Sequence, residues 1–187
     1  GAYGRYDTST ARVVDVAGLV AAENAQYGVN QGQAFGRIGI PIAMDDTAIE
    51  PFVSGSYTDA SIDKFTESTG PVALENGGQT IDRTQSVAGF RSSVVFRDGD
   101  AIFTPNLTLG WVHNFDSTAP GVRLGFAGMD SNSFLVDGVA TNTEAGLVQA
   151  GLDASIGSGI SLGIGYEGQF GDREQDQGVH VNIKANY

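Results

Sequence analysis

Cysteine is absent from this chain of 187 residues, which excludes disulfides, zinc-thiolate sites and thiol catalysis. Histidine occurs twice, at His113 and His180, and no further ligands stand at metal-binding spacing around either, so we expect no metal site. Lysine and arginine together number 10 against 22 acidic residues, which gives a formal net charge of −12. The ten basic residues are dispersed and form no basic stripe, so the sequence argues against a nucleic-acid partner.

The sequence also lacks a long hydrophobic run. No stretch of 18 or more apolar residues occurs, and this excludes a membrane-spanning helix. It does not exclude the membrane, because a β-strand crosses a bilayer with only about 9–11 tilted residues and gives a weaker hydropathy signal. Hydrophobic residues make up 41% of the chain and charged residues 17%, which favours one folded domain over a disordered acidic tail.

Alternation of apolar and polar residues is the main pattern in the chain. In the closing segment GVHVNIKANY, every second residue from Val179 to Tyr187 is apolar or aromatic, as in a strand with one apolar face. Similar alternation elsewhere predicts an all-β, antiparallel fold with eight strands. They cover residues 2–12, 27–43, 47–63, 80–97, 101–115, 143–156, 159–170 and 178–187.

The connections between these strands are of two kinds. Short turns are predicted at 44–46, 98–100 and 157–159. They alternate with long loops at 13–26, 64–79, 116–142 and 171–177. Short turns on one rim and long loops on the other are typical of outer-membrane barrels.

Two of the long loops contain segments with a pattern of their own. VVDVAGLVAAENA in the first loop is a candidate for a short helix, because Ala, Leu and Glu favour helices. VRLGFAG and SFLVDGV in the third loop are apolar runs that predict an external hairpin. This hairpin either folds over the pore mouth or extends the barrel wall beyond the bilayer.

Alternation alone does not separate a soluble β-sandwich, whose apolar face packs on a second sheet, from a membrane barrel, whose apolar face meets lipid. Three further features favour the barrel. Aromatic residues lie near strand ends on the apolar faces, as interface girdles do: Tyr57, Phe96, Phe103, Trp111, Phe170 and Tyr187. The opposite faces carry many small residues. They also carry isolated charges in mid-strand: Arg37, Glu50, Arg91, Asp153, Glu167 and Lys184.

Several segments, taken in order, are similar to one known family. They are TAIEPFVSGSYTDASIDKFTESTG, QSVAGFRSSVVF, FTPNLTLGWVHNF, VRLGFAG and GLDASIGSGISLGIGYEGQFGDREQDQGVHVNIKANY. Together they resemble the C-terminal β-domain of autotransporters, the translocators of type V secretion, over essentially the whole chain. The resemblance implies an outer-membrane barrel of about twelve antiparallel strands, with a helix that threads the pore and joins a secreted passenger. It implies a translocator without catalytic residues, cofactor or metal.

The eight strands resemble the last eight of the family barrel. We therefore expect residues 1–187 to form one translocator domain that is N-terminally incomplete, with the remaining strands elsewhere. The alternative is that eight strands close into a smaller barrel, which barrel geometry also allows. An uncompleted barrel would leave unpaired strand edges in lipid, at a high cost in free energy.

The resemblance also implies a location and partners. The location is the bacterial outer membrane, with the long loops extracellular and the C-terminus periplasmic. The partners are outer-membrane lipid and lipopolysaccharide, the barrel-assembly machinery and the passenger of the same polypeptide. Two other functions stay open. One is a stand-alone eight-stranded outer-membrane protein that acts as an adhesin, a structural stabiliser or a lipid enzyme, and the other is a soluble β-sandwich or solenoid that binds ligands or partners.

One set of candidate residues consists of charges expected to face the lumen. They are Arg37, Glu50, Arg91, Glu167 and Lys184. The resemblance implies contact with the threaded helix, and a cross-strand network that only compensates charge is the structural alternative. Glu50, between two cationic neighbours, is expected to stay ionised and is no candidate for a general base. No nucleophile elbow is predicted, so a serine hydrolase is not supported.

A second set of candidate residues forms the terminal strand. Its apolar face comprises Val179, Val181, Ile183, Ala185 and Tyr187. These residues resemble the C-terminal signal that the barrel-assembly machinery recognises, with Tyr187 in place of the commoner phenylalanine. We therefore expect this face to meet lipid and to direct assembly.

Overall fold

A computed structural model of the chain describes residues 1–68, 70, 72–116, 119, 121–129, 133–157 and 159–185. These residues form strands, turns and irregular connections, and no helix occurs among them. The strands are β1 (Ala2–Val16), β2 (Leu19–Gly39), β3 (Ile42–Met44), β4 (Thr47–Ile62), β5 (Phe65–Thr66), β6 (Leu74–Asn76), β7 (Gln79–Val94), β8 (Phe96–Asp98), β9 (Ala101–Asn114), β10 (Gly121–Phe126), β11 (Ser133–Asp137), β12 (Glu144–Ile156), β13 (Ile160–Gly171) and β14 (Gln175–Ala185).

The main sheet is antiparallel and joins neighbouring strands in chain order, β1-β2-β4-β7-β9-β12-β13-β14. The short strands β3 and β8 pair with β4 and β9 respectively. The eight principal strands correspond to the eight that alternation predicts, so the predicted all-β antiparallel class is confirmed. Among the described residues, β1 and β14 are the first and last strands in this order.

The predicted loop at 13–26, with its candidate helix, is wrong. β1 and β2 instead continue through it and pair from Ala2 opposite Gln33 to Val16 opposite Leu19. Ala17 and Gly18 form the turn, with positive φ values of 50° and 86°. Valine-rich sequence favours strands, and the hydrogen-bonded ladder with β2 outweighs the weak helix propensity of the alanines.

The three predicted short turns are present. Asp45, Gly99 and Gly157 have φ values of 47°, 57° and 58°, and each follows the end of a strand that returns as a hairpin. The left-handed conformation suits Gly at no steric cost, and Asp tolerates it better than most residues. These turns set the register of the hairpins that follow.

The predicted loops at 64–79 and 116–142 are not structureless. They contain β5, β6, β10 and β11, which form a second antiparallel sheet in the order β11-β10-β6-β5. The apolar runs of the third loop form the expected hairpin, in which Gly121 lies opposite Asp137 and Gly125 opposite Ser133. β10 also pairs with β6, and the Ala127 N–H donates to the carbonyl of Ala73.

The chain divides into two compact units. One consists of Gly1–Ala34, Tyr57–Arg83 and Thr118–Ala140, and the other of Phe35–Ser56, Thr84–Ser117 and Thr141–Tyr187. The second sheet belongs to the first unit. The three short turns, the lumen-face candidates and the terminal strand belong to the second unit.

The buried apolar core is small for a sheet of this size. Among the described residues the buried hydrophobic side chains are Ala25, Phe52, Ala73, Leu74, Val112 and Ala145. Val112 is the most enclosed large one, with 1% of its surface exposed. A soluble sandwich would bury one whole face of its sheet, so this distribution does not match a sandwich.

Candidate functional site

The apolar face of the second unit is exposed across consecutive strands. Large hydrophobic side chains on it include Ile38, Ile40, Val53, Phe90, Leu152, Ile164, Val179, Val181 and Ile183. Removing each such side chain from water contributes about 1.5–3 kcal/mol, so a face of this extent is stable only against an apolar medium. The exposed face is what a lipid-facing surface requires.

Exposed aromatic residues mark both ends of this apolar face. Phe96 and Phe103 are directly opposed residues next to the turn at Gly99. Trp111 lies eight residues further along β9, which corresponds to about 26 Å of strand. A barrel has an apolar band about 25 Å tall between two aromatic girdles. The predicted girdle positions on β8 and β9 therefore match this height before strand tilt is considered.

The opposite face, here called the polar face, carries the predicted charges. Arg37 Nη2 lies 3.2 Å from Oε1 of Glu50, and Arg91 Nε lies 3.9 Å from Oε2 of the same carboxylate. The guanidinium of Arg37 also lies over the ring of Phe52, 3.9 Å from its centroid. One acidic residue thus links two basic residues, as the predicted charge-compensating network requires.

Glycines on the polar face lie beneath polar side chains of the neighbouring strand. Gly163 is directly opposite Asn182, and Gly165 directly opposite His180. A Cβ atom at Gly165 would be 2.3 Å from the imidazole, and one at Gly163 would be 2.5 Å from the Asn182 amide. These side chains lie flat along the sheet because the glycines leave room for them. The face is therefore smoother than its composition suggests.

Glu167 and Lys184, the other two predicted charges, lie apart from the Arg37–Glu50–Arg91 cluster. Lys184 is directly opposite Ser161 at the end of β13 that follows the short turn, whereas Glu167 is opposite Gly178. Glu167 lines a pocket of about 220 Å³ that is otherwise mainly polar, with Asn106, Asp153, His180 and Asn182.

The sequence at 159–163 has the pattern Gly-x-Ser-x-Gly, which also occurs at the nucleophile elbow of serine hydrolases. Here Ser161 lies inside β13, and not at the sharp strand-to-helix turn that a nucleophile elbow needs.

The terminal strand has the predicted two faces. Val179, Val181 and Ile183 are exposed and share one face of β14, and Ala185 ends the strand on that face. Val181 lies directly opposite Ile164 of β13. Tyr187 lies outside the described residues. The assembly role of this strand stays a prediction.

A double-mutant cycle tests the Arg37–Glu50 pair. We expect Glu50→Gln and Arg37→Gln each to lower the free energy of unfolding, measured by urea titration of the refolded protein in lipid vesicles. The side chains are partly exposed, so the coupling is expected to be about 1 kcal/mol or less. The matched cycle with Arg91→Gln is expected to give weaker coupling, because Arg91 lies farther from the carboxylate. Equal coupling in the two cycles would contradict this ranking.

The first unit contains a more enclosed ion pair that sequence reasoning missed. Arg12 of β1 donates to Glu67, with 3.1 Å between Nε and Oε1, and also donates to the carbonyl of Val72. Glu67 lies in the connection between β5 and β6 and accepts the N–H of Leu74. Glu23 of β2 lies directly opposite Arg12 and is buried, with 2% of its surface exposed. Its carboxylate accepts a hydrogen bond from the Ser68 hydroxyl. These bonds hold the 67–74 connection to the β1–β2 hairpin.

The hydrogen bond from Arg12 lowers the pKa of Glu67, and the hydrogen bond from the Leu74 N–H lowers it further. Burial raises the pKa of this carboxyl, but the two hydrogen bonds outweigh that effect. Because the pKa of Glu67 is lower in the folded protein than in the unfolded chain, its ionised carboxylate stabilises the fold at neutral pH. This stability is lost as the pH falls through the pKa that Glu67 has in the folded state. We therefore expect hydrogen-exchange protection of the Leu74 amide to decrease as the pH falls below the ordinary pKa range of glutamate. Glu67→Gln should remove this pH dependence, and Asp176→Asn, on β14, is the matched control that should retain it.

The described residues contain no helix long and apolar enough to cross a membrane. They also contain no group of three or more His, Asp or Glu side chains placed to hold a metal ion. His113 and His180 lie on different strands, as their separation in the sequence indicates.

Comparisons with known proteins agree with this architecture. The model of the family described as Autotransporter beta-domain matches residues 1–167. Two proteins of Serratia marcescens, both named extracellular serine protease, are 27% and 29% identical over 183 and 184 residues. Each alignment covers 98% of this chain and 17% of the relative, so the chain spans about a sixth of the length of the curated relatives it matches. Because the family match covers most of the chain, the chain belongs to the autotransporter β-domain family and is a translocator β-barrel domain of the bacterial outer membrane.

Proposed function

We propose that this domain exports an N-terminal passenger of the same polypeptide across the outer membrane and then anchors it there. The observation that carries the proposal is the exposed apolar face of the second unit, bounded by aromatic residues at both ends. A stand-alone barrel would share this face, but the autotransporter family match favours the translocator. A soluble sandwich is disfavoured, because it would bury this face.

The polar face is the proposed path for the passenger. Its charges are compensated in the Arg37–Glu50–Arg91 cluster, and its glycines let side chains such as His180 lie flat. A smooth face with few uncompensated charges allows an extended chain or a threaded helix to pass with little specific binding. Glu167 and Lys184 are the further charged side chains that we propose contact the threaded helix.

We propose that the short turns are periplasmic and the longer connections extracellular, as in other outer-membrane barrels. β14 is antiparallel to β13 and ends beside the turn that precedes Ile160, so its C-terminal end lies on the short-turn rim. This orientation supports a periplasmic C-terminus. Contact of the apolar face with outer-membrane lipid and lipopolysaccharide follows from the same proposal.

We propose that β14 is also the segment that the barrel-assembly machinery recognises. Its exposed Val179, Val181 and Ile183, continued by Ala185 and Tyr187, provide apolar residues at every second position. We further propose that the sheet is completed by strands outside residues 1–187. Two strand edges exposed to lipid would leave backbone groups without hydrogen bonds, at several kcal/mol for each group.

The proposed translocation mechanism needs no catalytic group in this domain. In this proposal the passenger moves through the domain as an unfolded chain. A protease activity such as the relatives' name states is therefore not assigned to residues 1–187.

Surface exposure of the passenger tests the proposed function. In cells that make the full-length polypeptide, we expect added protease to cleave the passenger and residues 1–187 to need detergent for extraction. The domain should also migrate differently in a gel before and after heating. A passenger joined to a signal peptide but without residues 1–187 should stay protected in the periplasm. Equal surface exposure of that shortened protein would contradict the proposal.

A further inference from the structure

The β1–β2 hairpin has one covered face and one open face near its turn. Glu23 and Ala25 of β2 are buried, with 2% and 4% of their surfaces exposed. Asn24 and Gln26, the residues that alternate with them, are both exposed. Alternate residues of a strand share a face, so another part of the chain covers only one face of this hairpin.

The covered face is the face of β2 that also carries Arg37. The Asp63 N–H donates to the carbonyl of Gly28, and the Ile40 N–H donates to the carbonyl of Pro51. These two bonds are twelve residues apart on each strand, so β2 and β4 pair residue for residue between them. β1 and β2 also pair without interruption nearer the turn. The two buried residues therefore lie on the side of β2 that becomes the polar face.

The segment that covers this face comprises β5 and the connection from β5 to β6. The ring of Phe65 in β5 stacks on Tyr27 of β2, with centroids 4.6 Å apart and planes 19° apart. The Ser68 hydroxyl donates to the carboxylate of Glu23 at 3.1 Å. A Cβ atom at Gly70 would overlap that carboxylate, so the chain lies directly on it. The covering segment thus rests on side chains of a single face.

Arg12 joins the hairpin to the second sheet. It lies directly opposite Glu23, donates two hydrogen bonds to the carboxylate of Glu67, and donates a third to the carbonyl of Val72 at 2.9 Å. The same Glu67 carboxylate accepts the N–H of Leu74, the first residue of β6, at 2.8 Å. β6 in turn pairs with β10. One side chain of the hairpin therefore holds the connection that leads into the second sheet.

We propose that the second sheet is a lid on the part of the passenger path that the hairpin contributes, and that Arg12 fastens this lid. The proposal rests on the proposed function, in which the passenger moves along the polar face. The lid and a moving passenger need the same face of the hairpin, so the lid must lift during passage. A connection that only extended the wall would leave both faces of the hairpin open, which the burial of Glu23 and Ala25 contradicts.

The attachment of the lid is suited to opening. Among the described residues of the first unit, the buried apolar side chains are only Ala25, Ala73 and Leu74. Regions with few buried apolar contacts open locally at a lower free energy than the rest of a protein. The hydrogen bonds of Arg12 and Glu23 therefore provide much of the attachment. Loss of one donor can release the lid while the main sheet stays intact.

Maleimide labelling of one introduced cysteine measures whether the lid is closed. Residues 1–187 contain no cysteine. Ala25→Cys places a small thiol on the covered face, and Gln26→Cys is the matched control on the open face of the same strand. Both lie in the tryptic peptide 13–37, which mass spectrometry separates from peptides of the passenger. In the purified full-length polypeptide we expect Ala25→Cys to label at least about tenfold more slowly than Gln26→Cys.

Arg12→Gln tests the fastening. We expect it to speed the labelling of Ala25→Cys at least about tenfold, because three hydrogen bonds from a charged donor are lost together. Labelling of Gln26→Cys should not change. The labelled peptide is then 6–37, since trypsin no longer cleaves after position 12. Unchanged heat-modifiable migration shows that each variant is folded.

Gly70→Ala is a second variant that keeps Arg12. Its methyl group would displace the chain from Glu23, so we expect faster labelling of Ala25→Cys here as well. Gly77→Ala is the matched control in the same part of the chain, because a Cβ atom there would have no neighbour within 4 Å. Gly77→Ala should label as slowly as the parent.

A stalled passenger tests whether the lid lifts during passage. In cells, a passenger with an engineered disulfide loop stops partway through the domain, and a membrane-impermeant maleimide then reports on Ala25→Cys. We expect labelling at least about tenfold faster in the stalled chain than after complete export. Equal labelling of the two cysteines in the folded parent would overturn the proposal. Unchanged labelling in folded Arg12→Gln or in the stalled chain would also overturn it.

The two proposals fail in different ways. A parent chain that exposes its passenger at the cell surface, yet gives one of those contrary labelling results, would overturn the lid and leave the export proposal standing. A parent chain that exposes no passenger would overturn both.

Discussion

Val181→Lys is expected to remove most of the domain from the outer membrane. Val181 is 67% exposed on the apolar face of β14 and lies directly opposite Ile164, near the middle of β13. A lysine on the lipid face near the bilayer midplane costs about 2–4 kcal/mol in transmembrane barrels. The substitution also interrupts the apolar series from Val179 to Ile183 that we propose directs assembly. Quantitative immunoblots of outer-membrane fractions measure the loss.

Asn182→Lys is the matched control for this prediction. It adds the same charge at the next residue of the same strand, but on the polar face, close to the carboxylate of Asp153 that also lies over Gly163. We expect nearly normal assembly of this variant. Refolding of both variants into lipid vesicles separates stability from recognition by the assembly machinery. Equal yields of Val181→Lys and the parent chain in cells would contradict the lipid-facing assignment.

Gly89→Ala is expected to give the second large effect. Gly89 of β7 is directly opposite Gly110 of β9, and a Cβ atom at position 89 would be 2.4 Å from the Leu109 carbonyl oxygen and 2.8 Å from the Gly110 Cα. These are backbone atoms of the neighbouring strand, so relief requires the two strands to separate. We expect a loss of about 1–3 kcal/mol in the free energy of unfolding, the range measured for overpacked interiors.

Gly110→Ala provides the control within the same glycine pair. A Cβ atom there would be 3.1 Å from Cγ1 of Val87, which is a side-chain atom. A small rotation of Val87 relieves that contact, so the stability loss should be well below that of Gly89→Ala. Urea unfolding of both variants in lipid vesicles measures the difference. A larger loss for Gly110→Ala would show that the close approach at Gly89 is not the limiting contact.

Side-chain alternation was sufficient to predict the eight principal strands and their two faces. A strand places alternate residues on opposite faces, so local sequence specifies which residues are lipid-facing once the strand is recognised. The short turns at Asp45, Gly99 and Gly157 were predictable for a similar reason, because few residue types accept their backbone conformation. The cluster of Arg37, Glu50 and Arg91 followed from the same alternation on adjacent strands.

The longer connections were not predictable in the same way. Residues 13–26 have mixed propensity, and they form strands because each of β1 and β2 supplies hydrogen bonds to the other. The second sheet joins segments from two separate connections, through pairs such as Gly125 with Glu75. The bond from Arg12 to Glu67 likewise joins residues that are distant along the chain. Such long-range pairs leave no periodic signal in the sequence.

The sequence by itself determined the class of fold, the two faces of each principal strand and the resemblance to autotransporter β-domains. These properties depend on residue type and on a period of two, and both are local. The tertiary structure decided which residues meet across strands, such as the ion pair of Arg12 and Glu67 and the backbone contact at Gly89. Strand register and long-range hydrogen bonds determine these contacts, because they join segments that are far apart in the sequence.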